Sequence, residues 1–221
     1  MNNNNENIGN SHVSNNLEVR YITSEIRALE PESRKIGGLA IPSESRSELL
    51  CTRDGNFYET ISRDALTEDL INSMDIKLYL NHDSSQGTFA RSKRGVGSLR
   101  LFITERGLEF ETELPNTVFG DMLLEGIRRG DYDALSFAFR PGKIKWEDNK
   151  DGTWERTVNT IDMIDEISLL SVAPAYEATE VSCRSLADYK EELRQAEEQK
   201  QKEILDALDA KMKEFEEAAK V

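Results

Sequence analysis

Between about residues 17 and 172, apolar and polar positions alternate in short runs with the two-residue period of half-buried strands; a three-to-four-residue period replaces it near the carboxyl end. Val19, Tyr21 and Ile22 suggest a first strand and Ile36-Gly37-Gly38-Leu39-Ala40-Ile41 a second, followed by a loop at Pro42 and the Ser/Glu/Arg-rich 43–48. Phe57-Tyr58-Glu59-Thr60-Ile61 is a short strand. Ser62 is placed to cap a helix carrying Ala65, Leu66, Asp69, Leu70 and Ser73. Further strands are expected at 76–80, 87–91, 95–103 and 107–114, with a tight turn at Arg106-Gly107.

Pro115-Asn116-Thr117 opens a second helix whose apolar face is Val118, Met122, Leu123 and Ile127, and Gly130 is its stop. Residues 133–147 read as one long strand or a pair broken near Pro141-Gly142. Asn149-Lys150-Asp151-Gly152 is a hairpin turn, and 153–172 supplies returning strands that Pro174 ends. From Leu186 to Val221 there is no glycine or proline. Leu186, Tyr189, Leu193, Ala196, Ile204, Leu208, Met212 and Phe215 recur at intervals of three and four, apart from one polar gap, which predicts a long amphipathic helix, acidic outside. Residues 1–16 are asparagine-rich, with too little apolar surface to offset the entropy of ordering, and are expected to be disordered. The expected class is β-rich α+β: a leader over 1–16, a domain with two inserted helices over 17–185, and a helical tail over 186–221.

Composition narrows the function. The chain has 221 residues, 38% hydrophobic and 32% charged, without the ~18-residue apolar run of a membrane span. No basic segment followed by an apolar one opens it, so a cytoplasmic protein without a secretory signal is expected. A net charge of −14 argues against nucleic-acid binding, which needs a basic surface. Cys51 and Cys183 lie far apart, and two cysteines with one usable histidine do not make an ordinary zinc site without added carboxylates; a metal is not expected.

That usable histidine is His82, since His12 falls in the leader. Ile76, Leu78 and Leu80 share a strand face that His82 would continue. Two readings stay open: a packed core histidine, or a general base at the core rim. In Asp133-Ala134-Leu135-Ser136-Phe137-Ala138-Phe139, Leu135, Phe137 and Phe139 form a bulky face and Ala134, Ser136 and Ala138 a small one. A serine there has a rigid backbone and an open approach, as a nucleophile needs; a tightly packed small face is the competing reading. In Ile161–Leu170, Glu166 and Ser168 share the face opposite Ile167 and Leu169. A carboxylate in an apolar strand needs a partner, and a histidine to orient is one; Asp165 and Asp162 compete for that role, and a surface salt bridge is the plainer account.

Taken together, Gly37-Gly38-Leu39-Ala40, Phe57–Ile61, Leu80-Asn81-His82-Asp83, Gly107-Leu108-Glu109-Phe110, Leu135-Ser136-Phe137-Ala138-Phe139 and Asp165-Glu166-Ile167-Ser168-Leu169-Leu170-Ser171-Val172-Ala173-Pro174-Ala175 resemble, in order and spacing, the prohead (capsid maturation) serine proteases of tailed bacteriophages, which are related to herpesvirus assemblins. The resemblance covers about Val19 to Ser185. It departs at Ala138, where the family often has glycine, and at Tyr176, where a smaller residue is usual. It implies an assemblin-like closed or partly closed β-barrel flanked by helices, with Ser136 as nucleophile, His82 as general base and Glu166 as third member. It also implies a cofactor-free serine endopeptidase of the host bacterial cytoplasm, acting inside the immature prohead. Its substrates would be scaffold, scaffold-like segments of the major capsid protein and the chain itself, which is also a potential homodimer partner. The tail, which by itself reads as a solvated amphipathic helix or a coiled-coil partner, would then be a removable, scaffold-docking segment. The alternatives are a non-enzymatic scaffold or assembly protein that keeps the fold, and a hydrolase of non-peptide esters.

Overall fold

A computed structural model describes residues 17–23, 26–30, 32–171 and 184–218. The expected leader, Pro174, Cys183 and the last three residues lie outside these. In chain order the elements are β1 (Glu18–Thr23), β2 (Arg27–Ala28), β3 (Lys35–Pro42), β4 (Leu50–Thr52), β5 (Gly55–Ile61), α1 (Glu68–Ser73), β6 (Asp75–Leu80), β7 (Ala90–Lys93) and β8 (Val96–Gly97). There follow β9 (Arg100–Thr104), β10 (Gly107–Glu113), α2 (Val118–Arg129), β11 (Ala134–Pro141), β12 (Ile144–Asp148), β13 (Thr153–Val158), β14 (Ile161–Leu170) and α3 (Arg184–Ala218).

The strands pair as three sheets: β1-β11-β14-β6-β7-β8, β2-β3-β10-β9 and β12-β13-β5-β4. The fold is therefore β-rich with helices and a long carboxyl-terminal helix, as expected. Among the described residues no ladder joins the ends of a sheet into a closed ring. One apolar core lies between the first two sheets and takes in α1 and α2. Ile36, Ile41 and Phe110 meet Leu78, Phe137, Phe139 and Ile167 there, all but withdrawn from solvent. A smaller cluster of Phe57, Trp146 and Leu186, flanked by Trp154 and Tyr189, fastens the first turns of α3 to the third sheet. Lys190 Nζ adds a bond to the Asp54 carbonyl at 2.7 Å. From Glu191 to Leu208 the helix is exposed, so over 186–208 packing is confined to the first few residues after Leu186.

Several expectations need correction. The helix after Ser62 is split: a 3-10 turn at Arg63–Ala65, to which Ser62 gives no side-chain cap, precedes α1, which Thr67 caps by accepting from the Leu70 N–H at 3.1 Å. The strand expected at 87–91 starts only at Ala90, because Gly87 ends a 3-10 turn with φ of 89°. The run 95–103 divides into β8 and β9. In α2, Val118 and Met122 do not face the core; Val118 is 83% exposed. The inward places go to Leu123, Leu124, Ile127, Gly120 and Gly126, and a Cβ on Gly126 would stand 2.1 Å from the Tyr132 ring. Counting only large apolar residues thus rotated the helix face. Gly130, left-handed at φ of 76°, ends α2 as expected.

A buried charge cluster ties the first sheet to the third. Arg20 on β1 meets Glu59 on β5 through Nε (2.6 Å) and Nη2 (2.9 Å), and Glu18 through Nη2 (2.5 Å). Arg156 on β13 bonds Glu18 at 2.6 and 2.8 Å and Glu59 at 2.6 Å. All four side chains are buried. Two cations balance two anions, which is what allows charges to stay ionised out of water. Burial alone would raise the Glu59 carboxyl, but Arg20 and Arg156 hold it below its ordinary value of 4.5. A lowered folded-state value stabilises above the ordinary one, and that contribution is lost as pH falls through the folded value. Glu59→Gln leaves excess buried positive charge and should cost about 3–5 kcal/mol in denaturant unfolding at neutral pH. Its stability should also fall less than that of the wild type on acidification below 4.5; equal acid loss in both proteins would exclude Glu59 as the titrating group.

Candidate active site

The site lies on the face of the first sheet turned away from the main core. β11 lies between β1 and β14, antiparallel to both, and β14 runs parallel to β6. The register sets Tyr21, Ser136, Ser168 and Tyr79 side by side in one row across the four strands, and Ala138 pairs with Glu166 in the next. Neighbours on one face in such rows stand ~4.5–5.5 Å apart at Cβ. Leu135, Phe137, Ile167 and Leu169 turn into the core, so the faces of β11 and β14 are those the alternation predicts.

His82 does not continue the face of Ile76, Leu78 and Leu80. β6 ends at Leu80, and Asn81 and His82 both take left-handed conformations, φ 53° and 60°. Two such non-glycine residues in succession reverse the chain and carry the imidazole to the opposite face. The turn is held by Asn81 N–H donating to the Leu169 carbonyl (2.8 Å), by the Ser171 N–H donating to Asn81 Oδ1 (2.9 Å), and by His82 N–H donating to Ser168 Oγ (3.2 Å).

His82 Nδ1 bonds Glu166 Oε1, and the second oxygen, Oε2, accepts from Ser168 Oγ at 2.6 Å. Glu166 is 6% exposed, so these two bonds are what compensate its desolvation. With Nδ1–H donating to the carboxylate, Nε2 carries the lone pair. It is buried and has no hydrogen-bond partner among the described residues. The Tyr21 ring meets the imidazole edge-on at 6.1 Å between centroids. His82 thus touches both Tyr21, through its ring, and Ser168, through its backbone N–H, and these two residues flank Ser136 in its row.

Of the three acids, it is Glu166 that bonds the imidazole. Asp165 pairs with Lys77 at 3.1 Å, and Asp162 is exposed. Ser136 is 0% exposed, so the open approach expected for it is not found. Its hydroxyl donates to the Arg20 carbonyl of β1 at 2.9 Å rather than to His82. A cleft of about 440 Å³ runs along β1 beside the 45–48 loop and reaches Ala134 and Phe137, but Ser136, His82 and Glu166 do not line it. Among the described residues no cluster of His, Cys, Asp or Glu could hold a metal ion.

Sequence reasoning missed Tyr21, Ser168 and the Asn81 clamp. Ser168 had left a signal, a polar residue two positions from Glu166 on the same face of an apolar strand; Tyr21 had left none, because its role depends on β1 pairing with β11.

Against known proteins, the family model of the caudovirus prohead serine proteases matches residues 23–192, a stretch that contains Ser136, His82 and Glu166. No curated protein matches the chain. The solved structure of the bacteriophage T4 capsid assembly protease, gp21, covers 70% of this chain and 97% of its own at 10% identity; with a TM-score of 0.36 that likeness carries no argument. The family match, spanning most of the sequence, is what decides: this chain belongs to the caudovirus prohead serine proteases.

Proposed function

We propose that the chain is a serine endopeptidase that cleaves scaffold or scaffold-like segments of capsid proteins, and itself, while the phage prohead matures in the host cytoplasm. The observation that carries this reading is His82, bound through Nδ1 to Glu166, with a buried Nε2 that has no partner among the described residues, and with contacts to Tyr21 and Ser168, which flank Ser136 in its row. Rotation of the Ser136 side chain away from the Arg20 carbonyl would turn its hydroxyl toward that nitrogen. Ser136 Oγ then attacks the scissile carbonyl carbon while Nε2 takes its proton. The same proton passes from Nε2 to the leaving amine as the C–N bond breaks, leaving an ester on Ser136. Water, deprotonated by Nε2, hydrolyses that ester. Glu166 holds the tautomer and stabilises the imidazolium. No cofactor takes part. The single core shared by the first two sheets supports a partly closed barrel of the assemblin type for the scaffold beneath the site.

The complete burial of Ser136 favours a second reading, an assembly protein that keeps the fold without activity, so the decisive test must be chemical. In co-expression with the major capsid protein, wild type should trim it, and Ser136→Ala and His82→Ala should each lose activity by a factor on the order of 10⁴–10⁶, because members of a catalytic unit fail together. Identical fragment masses from wild type and Ser136→Ala would remove Ser136 as the nucleophile, and no fragments from wild type would favour the inactive assembly protein.

The exposed length of α3 fits a packaging segment that lays its apolar stripe, Leu193, Ile204 and Leu208, on scaffold helices and is later removed. Leu186 and Tyr189 belong to the packed cluster, so the informative deletion begins beyond them. Removing 195–221 should spare peptidase activity and lower incorporation into proheads, whereas undiminished incorporation would exclude the docking role.

A further inference from the structure

We infer that Ser168 is a positioning residue for this reaction, acting on carboxylate and histidine at once. The inference rests on the peptidase reading above and adds a fourth side chain to it. Ser168 is 0% exposed and uses its hydroxyl twice: it donates to Glu166 Oε2 at 2.6 Å and accepts the His82 N–H at 3.2 Å.

Each bond answers a separate freedom. The terminal torsion of a glutamate is soft and broadly two-fold, so one bond to an imidazole leaves the carboxylate free to rock. With Oε1 on His82 and Oε2 on Ser168, both oxygens are anchored and the carboxylate plane is fixed. The bond to the His82 N–H lies within the left-handed turn, at one of two successive residues in a conformation that costs roughly 1–2 kcal/mol each. Neighbouring groups must hold such a turn, and Ser168 Oγ is the one that reaches the backbone of the histidine itself. A serine serving only to fill space would need neither bond. This one also pairs across the ladder with Ser136, so a single oxygen sets base and orienting acid relative to the strand of the nucleophile.

Alanine at 168 would strand a buried carboxylate oxygen and the His82 N–H while removing one atom of volume. Ser168→Ala is expected to lower kcat about 10- to 100-fold with KM changed by less than about twofold, as suits a group that orients the catalytic pair without touching substrate. Ser168→Thr keeps the hydroxyl and should stay within about fivefold of wild type. The assay is hydrolysis of a peptide spanning a cleavage site mapped with the wild-type chain. A second readout, independent of turnover, is the proton NMR resonance of His82 Nδ1–H. In a Ser136→Ala background, where self-cleavage is blocked, it should be resolved downfield, and adding Ser168→Ala should move it upfield or broaden it away.

A Ser168→Ala enzyme with wild-type kcat, or one altered in KM alone, would overturn the positioning role, as would a threonine variant as impaired as the alanine one. If the alanine variant does not fold, the threonine variant decides alone by the same fivefold limit. Wild-type chain without activity, or Ser136→Ala with full activity, would instead remove the peptidase reading on which the inference rests.

Discussion

Glu166 is a carboxylate set among isoleucines and leucines in the interior of a sheet, and a carboxylate there stays ionised only with partners on its oxygens. Most features of the site answer that constraint. One oxygen needs the imidazole, so His82 must reach a face that β6, by simple alternation, would have denied it; hence the reversal through two left-handed residues. The other oxygen needs a hydroxyl, and Ser168 supplies it from two positions along the same strand.

The same rule acts on a larger scale in the four-charge cluster. Glu18, Arg20, Glu59 and Arg156 exclude water as a balanced set, and the set pins β1 against the third sheet. β1 is also the strand paired beside Ser136. The guanidinium of Arg20 belongs to the cluster while its carbonyl accepts from Ser136, and Tyr21, next in sequence, meets His82. Stability and access are therefore coupled: any movement of β1 that uncovers Ser136 has to strain a network whose members become costly once unpaired.

Much of this was legible because burial on one side of a strand writes a period of two into the sequence. The faces of β11 and β14 follow directly from Leu135, Phe137 and Phe139 against Ala134, Ser136 and Ala138, and from Ile167 and Leu169 against Glu166 and Ser168. Pairing between strands distant in sequence leaves no comparable local record. Tyr21 is opposite Ser136 across 115 positions, and nothing near either residue announces it. The buried charges left a partial record: Glu59 interrupts Phe57-Tyr58-Glu59-Thr60-Ile61, but its partners, Arg20 and Arg156, become visible only when β1, β5 and β13 converge.

The reversal at Asn81-His82 shows why local rules fail where tertiary demand is strongest. Left-handed backbone is normally announced by glycine, and although asparagine and histidine visit that region more readily than most residues, neither announces it as glycine does. The conformation persists because three donors near it, the N–H groups of Asn81, His82 and Ser171, find acceptors on β14 or on Asn81 itself. Those acceptors exist only once β6 and β14 lie parallel in one sheet. Alternation carried past Leu80 therefore assigned the imidazole to the core, whereas the assembled sheet holds it on Glu166, and the same assembled sheet withdraws Ser136 from solvent.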